Sequence, residues 1–412
     1  MSITKFLIER TGQHFYYDNQ TNGMFDADMK PLSIPTTELP GAPSFHKSNA
    51  PDTIKIVLGH ACNYSCSYCV QKDIGNPDER SKNIFTRTLI KNIKEQLDLS
   101  QLKRIELWGG ETLLYWKDIV DIMTHLDNEN ITWYIPTNGT PLQHKHPEFF
   151  SNLKGKVTVG ISHDGPGHEK LRGPEFLHKK VDVLADMQER GIAFSFNGVI
   201  SATNYDLYAF NDYFQEFLST NGLQETGLVY EVGRSYDSTQ SKNSNDHVIT
   251  GEHLQIYSGI LKRYLKQHLE DFKTKKSTLL KNSLFHFGSG VIPYARTLKH
   301  QHARIYHSNC GTDQPGLITF DINGSVRTCQ NAGQEFSSGH ITNLSEARLV
   351  NVEYGKKGFC KDCHVLSLCN SSCPIELPFD VFLMNHAIEY THYSAIQMSA
   401  FELLFNSEIS KV

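Results

Sequence analysis

The sequence lacks the features that would place the protein in a membrane, outside the cell or on nucleic acid. None of its apolar runs approaches the length of a membrane span, and residues 1–10 are too short and too charged for a signal peptide. The net charge of -5 leaves no excess of basic residues for binding nucleic acid. With 39% apolar and 21% charged residues, the composition is that of an ordinary globular protein. We therefore expect a cytoplasmic protein with neither a membrane nor a nucleic-acid partner.

Cysteine is absent from most of the chain. The nine cysteines form two groups, Cys62 to Cys69 and Cys310 to Cys373, with none between them. An odd number of cysteines at short spacings, in a chain without a secretory signal, indicates metal binding rather than disulfides.

The first group has the spacing C-x3-C-x2-C, formed by Cys62, Cys66 and Cys69, directly after the apolar run Thr53 to Leu58. This pattern predicts a strand that runs into a thiol-rich loop. Three thiolates on one loop can each bind one iron of a [4Fe-4S] cluster. Because no fourth Cys or His follows at ligand spacing, one iron would stay open to a small molecule. A zinc knuckle is the alternative, although zinc sites usually close with four ligands.

Apolar strand patterns alternate with amphipathic helix patterns from residue 53 to about residue 236. This alternation predicts βαβ units and a parallel sheet, with chemistry at the carboxyl ends of the strands. Two of the predicted helices are Arg87–Leu97 and Phe176–Arg190. The predicted strands are Thr53–Leu58, Arg104–Trp108, Thr132–Pro136, Val157–Ser162, Ala193–Ser201 and Gly227–Val232.

Gly109, Gly110 and Glu111 end the second predicted strand. Glycines at this point let the backbone approach a ligand, and the carbonyl groups with the Glu111 carboxylate suit an ammonium group. On its own, however, a Gly-Gly-Glu sequence is an ordinary turn.

The cysteine loop, with Tyr68 before its third cysteine, and the Gly-Gly-Glu turn together resemble the radical S-adenosylmethionine (SAM) superfamily. The resemblance implies an α/β fold, a partial (β/α)6 barrel of TIM-barrel type, in which the Gly-Gly-Glu turn holds the SAM amino group. Thr112 stands where the family usually has proline. The resemblance also places Tyr68 beside SAM, together with Asn138 in a T-N-G turn and Ser162 in an S-x-D-G-P stretch. Both of those stretches are also ordinary turn sequences.

The second cysteine group follows the pattern C-x13-G-x4-C and then C-x2-C-x5-C-x3-C. Leu317–Asp321 and Ser325–Thr328 predict a β-hairpin, which would bring the first two cysteines of this group together. The pattern resembles the SPASM domain, a C-terminal cysteine-rich extension that binds two auxiliary [4Fe-4S] clusters. The resemblance assigns Cys310, Cys329 and Cys373 to the first auxiliary cluster and Cys360, Cys363 and Cys369 to the second.

A seventh cysteine, usual in that domain, is missing after Cys373. His386 and His392 lie near the place where it would fall, and imidazole replaces cysteine in some iron-sulfur sites. We predict that one of the two histidines is a ligand, so that one or two auxiliary clusters are bound. The alternatives are two histidines on a helix surface and, for the whole group, a zinc ribbon.

The remaining segments complete four predicted regions. Residues 14–26 alternate around Asn22 and Gly23 and predict a β-hairpin, either a cap on the barrel or a peptide-recognition element. A proline-rich linker, Pro31 to Pro51, follows, and residues 251–283 predict a long connecting helix. The predicted regions are residues 1–51 (hairpin and linker), 52–236 (barrel), 237–304 (helical connector) and 305–412 (auxiliary-cluster domain).

The resemblance implies an oxidoreductase that cleaves SAM to a 5'-deoxyadenosyl radical, with an electron from a flavodoxin- or ferredoxin-type donor. The hairpin and the SPASM pattern together suggest a precursor peptide or protein as substrate, cross-linked or otherwise modified on a side chain. Alternatives are sulfatase maturation to formylglycine, disfavoured because Gln330 rather than an aspartate follows Cys329, oxidation of an aminosugar, and a non-catalytic metal scaffold. No acid or base is assigned, and Tyr230, Glu231 and Arg234 lie near the expected cavity without a role.

Overall fold

The structure of the chain is a computed structural model. It describes residues 3–19, 21–32, 46–71, 83–233, 237–238, 241–242, 247–276, 279–280, 290–299, 312, 314–331, 337–347, 360, 362–369 and 379–412. Cys310, Cys373, Arg234 and most of the predicted linker lie outside these residues. In the part that is described, no helix is both long enough and apolar enough to cross a lipid bilayer.

The described elements alternate between strand and helix through the middle of the chain. The strands are β1 (Ile3–Ile8), β2 (Gln13–Asp18), β3 (Met24–Phe25), β4 (Thr53–Val57), β5 (Arg104–Trp108), β6 (Thr132–Thr137), β7 (Lys156–Ser162), β8 (Ala193–Ile200), β9 (Gly227–Val232), β10 (Asp237–Ser238), β11 (Ser241–Lys242), β12 (Leu317–Asp321), β13 (Ser325–Arg327), β14 (Ser337–His340) and β15 (Ile409–Lys411). The helices are α1 (Asn83–Gln96), α2 (Trp116–Leu126), α3 (Lys145–Phe150), α4 (His168–Leu171), α5 (Val181–Glu189), α6 (Leu207–Thr220), α7 (Gly251–Thr274), α8 (Val291–Lys299), α9 (Leu366–Cys369) and α10 (Phe379–Phe405).

A parallel sheet formed by β4 to β9 is the core of the molecule. The six strands are neighbours in chain order, so each connection returns to the adjacent strand through a helix or turn. Ile54 and Ile56 are completely buried on one face of β4, under the helices, whereas Lys55 points to the other face and lines a cavity. The predicted partial (β/α)6 barrel is therefore confirmed, with polar residues on its inner face.

The C-terminal region extends this sheet, which the sequence patterns did not predict. β12 pairs in parallel with β4, from Leu317 opposite Thr53 to Asp321 opposite Val57. The predicted hairpin is present, because β12 pairs antiparallel with β13, and β14 follows β13. The cysteine-rich region and the barrel thus share one nine-stranded sheet. The limits of the four predicted regions stay a prediction.

The N-terminal hairpin is also present, in a sheet of its own. β2 pairs with β3 across the turn at Asn22, and β1 pairs on its other side with both β2 and β15. The rings of Phe6 and Phe15 lie 5.0 and 5.1 Å from the ring of Phe401 on α10. The hairpin packs on the C-terminal helix, and its role, as a cap on the barrel or as a peptide-recognition element, stays a prediction.

Two predicted helices differ at their ends from the structure. The segment predicted from Phe176 begins with a 3-10 turn, Leu177–Lys180, before α5. The long connecting helix α7 ends at Thr274, because Lys275 has the left-handed backbone conformation (φ 55°).

Candidate cofactor site at the carboxyl ends of the strands

A cavity of about 350 Å³ opens at the carboxyl ends of the parallel strands. This volume is within the range of small-molecule sites. All the residues predicted to bind the first cluster or SAM line this cavity. They are Cys62, Cys66, Tyr68, Cys69, Gly109, Gly110, Glu111, Asn138 and Ser162. The C-terminal region contributes Cys329, Gln330, Cys369 and Tyr393 to the same cavity.

The cysteine loop leaves β4 and turns tightly between its second and third cysteines. The Cys69 N–H donates to the Cys66 carbonyl at 3.1 Å, and the Tyr64 N–H donates to the Cys62 sulfur at 3.4 Å. Burial raises the pKa of the Cys62 thiol. Burial also raises the pKa of the Cys66 thiol to about 12, although the nearby Arg172 guanidinium acts to lower it. Thiols of this kind become thiolates when iron replaces the proton.

Gly109 and Gly110 are required by the packing of the cysteine loop itself. A Cβ atom on Gly110 would lie 2.4 Å from the His60 carbonyl oxygen and 2.6 Å from that of Ala61. The Gly110 N–H donates to the Gly59 carbonyl, and the Glu111 N–H donates to the Ala61 carbonyl, both at 2.9 Å. Because neither glycine has a side chain, the end of β5 packs directly against the start of the cysteine loop, whatever ligand the turn binds.

Glu111 is buried, and its carboxylate holds the ends of two strands together. It accepts hydrogen bonds from the Thr137 hydroxyl (2.6 Å), the Asn138 N–H (2.5 Å) and the Leu113 N–H (2.9 Å). Burial raises the pKa of this carboxyl group, while the three donors act to lower it. A carboxylate accepts about four hydrogen bonds, so roughly one position remains for a ligand such as an ammonium group.

Asn138 ties the end of β6 to the cysteine loop. Its side-chain N–H donates to the Asn63 oxygen at 2.7 Å and approaches the Cys62 sulfur at 4.0 Å. Its oxygen accepts from the N–H and the hydroxyl of Thr140. Asn138 thus orients the loop directly, in addition to any contact with a cofactor.

Asp164 is a completely buried carboxylate that the sequence analysis did not identify, although it lies in the S-x-D-G-P stretch. It accepts from the Tyr68 hydroxyl at 2.6 Å and from the Val199 N–H at 2.8 Å, and it pairs with the Arg172 guanidinium at 3.0 Å. The guanidinium also lies 5.4 Å from the centre of the Tyr68 ring. Tyr68 is consequently fixed in the cavity wall, and a buried cation lies close to the Cys66 thiol.

The segment from residue 163 to residue 176 forms a strap under the loop. The Ser67 N–H donates to the Leu171 carbonyl at 2.9 Å, and the Tyr64 hydroxyl donates to the Pro174 carbonyl at 2.6 Å. Glu175 lies on this strap, 2.9 Å from the His163 Nε2. Partial burial acts to raise the pKa of Glu175, but the hydrogen bond and charge of His163 and the Leu177 N–H lower it to about 2.

The last parallel strand presents only one of its candidate polar residues to the cavity. Glu231 is exposed and lines it, whereas Tyr230 is completely buried on the opposite face, near Tyr264. Tyr230 therefore does not line the cavity, because successive side chains of a strand point to opposite faces.

Two of the described cysteines of the second group, Cys329 and Cys369, line the cavity, whereas Cys360 and Cys363 do not. Cys329, whose sulfur accepts the Asn331 N–H at 3.1 Å, lies on the cavity wall. Cys360 and Cys363 lie in a turn closed by the Cys363 N–H and the Cys360 carbonyl (3.1 Å), which continues into α9 and Cys369.

The two candidate histidine ligands lie on α10 and differ in their surroundings. His392 is buried, with its Nδ1 3.1 Å from the Tyr257 hydroxyl of α7. His386 is partly buried and stacks on Tyr390, with 6.0 Å between ring centres. Their role as ligands stays a prediction.

The residues around the first cysteine loop fit a [4Fe-4S] cluster by their chemistry. They supply three thiols, an N–H donor to sulfur and a buried guanidinium that favours a negatively charged group. Across the residues that the structure covers, no three His, Cys, Asp or Glu side chains are gathered for one metal ion, whereas such a cluster takes one thiolate per iron.

Comparisons with known proteins found one matching family and several similar chains. Residues 56–202 match the family described as the radical SAM superfamily. The chain is 23% identical over 353 residues to the radical SAM cyclopropyl synthase TigE of Paramaledivibacter caminithermalis, covering 78% of this chain and 67% of TigE. It is 23% identical over 350 residues to a serine-type anaerobic sulfatase-maturating enzyme of Bacteroides thetaiotaomicron, covering 77% and 81% of the two chains.

Solved structures share the fold at low sequence identity. A structure of anSMEcpe with bound AdoMet matches with a TM-score of 0.61 and 18% identity, over 86% of this chain and 95% of that one. A structure of SuiB from Streptococcus suis matches with a TM-score of 0.53 and 15% identity, over 79% and 73% of the two chains.

Proposed function

We propose that the chain, which matches the radical SAM superfamily over residues 56–202, is a radical SAM enzyme that modifies a side chain of a peptide or protein, through a cross-link or another post-translational change. The observation that carries this proposal is that the first cysteine loop and the C-terminal cysteines Cys329 and Cys369 line the same cavity. We further propose a flavodoxin- or ferredoxin-type electron donor and a cytoplasmic location.

The chain's residues bind and orient the cofactors. Cys62, Cys66 and Cys69 would hold the cluster, and Gly110, Glu111 and neighbouring groups would hold SAM. When bound, the cluster and SAM supply a carbon radical strong enough to remove hydrogen from an unactivated carbon. The protein's own task is to hold the substrate close to that radical and to keep water out of the cavity.

Two auxiliary clusters complete the proposal. Cys310, Cys329 and Cys373 would hold the first, and Cys360, Cys363 and Cys369 the second, with His386 or His392 as a further ligand. Auxiliary clusters suit an oxidation or a cross-link, because an electron must leave the product. Support for a peptide substrate comes from the shared fold of anSMEcpe, which has also been solved with the Cp18Cys peptide and which this chain matches with a TM-score of 0.58.

Sulfatase maturation is the second candidate, favoured by the 23% identity to the Bacteroides thetaiotaomicron enzyme. Against it stands Gln330, which lines the cavity at the position after Cys329. An amide cannot take a proton as a carboxylate can, so the base expected there is missing.

The first test is the content of iron and sulfide per chain after anaerobic reconstitution, together with reductive cleavage of SAM. We expect about twelve irons in the wild type and about eight in the Cys62/Cys66/Cys69 triple alanine variant, which should form no 5'-deoxyadenosine. About eight irons falling to about four would leave only one auxiliary cluster. Cleavage of SAM by the triple variant would contradict the assigned site.

A further inference from the structure

The floor of the cavity contains a buried ammonium group with unused hydrogen bonds. Lys55 on β4 is 7% exposed, and its Nζ lies 3.5 Å from Glu106 and 5.6 Å from the centre of the Trp108 ring. The Glu106 carboxylate already accepts shorter hydrogen bonds from Arg104 (2.6 Å) and Trp108 (2.9 Å). Because an ammonium has three donors, most of the hydrogen-bonding capacity of Lys55 is available to a ligand in the cavity.

A carboxylate lines the same cavity from the last strand of the parallel run. Glu231 on β9 is exposed, and within the described part of the chain it has neither an ion pair nor a hydrogen bond. The charge of Glu231 acts on the hydroxyl of Tyr134, and Tyr134 on β6 is paired with Glu106 on β5. Glu231 therefore faces the inner surface on which Lys55 and Trp108 lie.

The other charged groups on these walls already have partners within the protein. Arg172 pairs with Asp164 at 3.0 Å, and Glu111 accepts three hydrogen bonds. Lys55 and Glu231 are thus a donor and an acceptor left for the substrate. They lie on the first and last strands of the β4 to β9 run, with the apolar face of Trp108 beside Lys55.

We propose that Lys55 and Glu231 position the substrate by its backbone, with Lys55 donating to a carbonyl oxygen and Glu231 accepting from an amide N–H. A peptide group carries both functions, which an aliphatic side chain does not. The proposal rests on the proposed function, since it assumes a peptide, and it makes the two residues positioning residues rather than catalytic ones. It also predicts tolerance of different side chains next to the modified residue.

The probes are acetylated pentapeptide amides, Ala-Ala-Xaa-Ala-Ala, each deuterated in the side chain of Xaa. Deuterium in 5'-deoxyadenosine, measured by mass spectrometry with the reconstituted enzyme, first identifies which Xaa loses hydrogen. The dissociation constant of that peptide is then measured by equilibrium dialysis in the presence of SAM, without reductant. This binding measurement does not depend on turnover.

We expect Lys55→Met and Glu231→Ala each to weaken peptide binding by about tenfold to a hundredfold, as for loss of a hydrogen bond to a charged group. Cleavage of SAM in the absence of peptide should stay within about twofold of the wild type. Lys103→Met and Glu225→Ala, which change exposed residues just before β5 and β9, are the matched controls and should bind normally. If Lys55→Met folds poorly, Lys55→Met combined with Glu106→Gln removes the negative charge that Lys55 no longer balances.

An ester analogue tests the amide contact separately. Replacing the N–H of Xaa, or of the residue after it, by oxygen should weaken binding to the wild type about tenfold, and one of the two analogues should bind Glu231→Ala as well as the parent peptide does. Unchanged binding in both variants would overturn the inference while leaving the proposed function intact. A parallel loss of SAM cleavage would show instead that the two residues hold SAM. Cleavage of SAM without deuterium transfer from any probe would overturn the peptide substrate and, with it, this inference.

Discussion

The two described cysteine turns are held in place by different parts of the chain. The Cys62 to Cys69 loop is fixed by the ends of neighbouring barrel strands, through Gly110, Asn138 and Asp164. The turn from Cys363 to Ser367 is fixed from distant segments, because Asn19 donates to the Cys363 carbonyl at 2.8 Å and Tyr17 contacts Ser367 at 2.6 Å. The Cys62 to Cys69 loop therefore depends on the barrel, whereas the Cys363 to Ser367 turn depends on the N-terminal hairpin and α10.

The largest effect should follow from breaking the buried charge pair under the first loop. Asp164→Ala leaves the Arg172 guanidinium buried without its partner, so we expect a loss of about 3–5 kcal/mol in the free energy of unfolding. Asp186→Ala, which removes a partly exposed partner of the exposed Arg190, is the control and should cost about 1 kcal/mol or less. Chemical denaturation measures both. Equal losses in the two variants would show that the pair does not support the loop.

A smaller loss should follow from crowding the contact between β5 and the first loop. Gly110→Ala places a methyl group against two backbone carbonyls, so we expect a destabilisation of about 1–3 kcal/mol and reduced iron at the first site. Gly259→Ala, in the middle of α7 with open space around it, should instead stabilise the protein by about 0.5–1 kcal/mol. Thermal unfolding and iron analysis report both. A neutral Gly110→Ala would mean that the glycine serves only the ligand.

Removing one hydroxyl should weaken the Cys363 to Ser367 turn without affecting the Cys62 to Cys69 loop. The buried Tyr17 hydroxyl contacts Asn22, Tyr294 and Ser367, so Tyr17→Phe should cost about 1–2 kcal/mol. We expect iron to be lost from the C-terminal sites while SAM is still cleaved without substrate. Tyr16→Phe, on the other face of β2, should leave both properties unchanged. Loss of SAM cleavage in Tyr17→Phe would contradict the independence of the two turns.

The smallest effect concerns pH and the strap under the first loop. The pKa of Glu175 is lowered from 4.5 to about 2, so its ionised form stabilises the folded state above about pH 4.5 and this contribution is lost as pH falls toward 2. Glu175→Gln lacks the contribution, so its stability should fall less than that of the wild type between pH 5 and pH 3, by on the order of 1 kcal/mol. Denaturation at several pH values measures the difference. Glu148→Gln, at an exposed position, should follow the wild-type curve, and if Glu175→Gln does so too, the strap is not pH-sensitive.

Local patterns in the sequence predicted the strands and turns well, because periodicity and turn residues report burial and backbone conformation directly. Both hairpins, the six parallel strands and the meeting of the cysteine loop with Gly109, Gly110 and Glu111 follow from such patterns. The pairing of β12 with β4 does not, since an apolar run shows that a strand is buried but not which strand it pairs with.

The chemistry of single residues was harder to predict. Glu111 was interpreted from its charge as a ligand for an ammonium group, yet three of its acceptor positions serve the protein's own backbone and Thr137. Asp164 lay within a recognised stretch but drew no attention, because its partner Arg172 is eight residues away and only the folded strap brings them together. Contacts of this kind need the structure.

The pairing of β1 with β15 constrains how the protein is made. Arg10 and Ser407, which are hydrogen-bonded beside this pairing, are 397 residues apart. At about 5–20 residues per second, the ribosome needs about 20–80 s to produce the partner of the first strand. During that time the N-terminal hairpin lacks α10, the surface on which its aromatic side chains are buried. A nascent chain would therefore expose these phenylalanines until α10 has emerged, a period in which unburied apolar side chains favour aggregation.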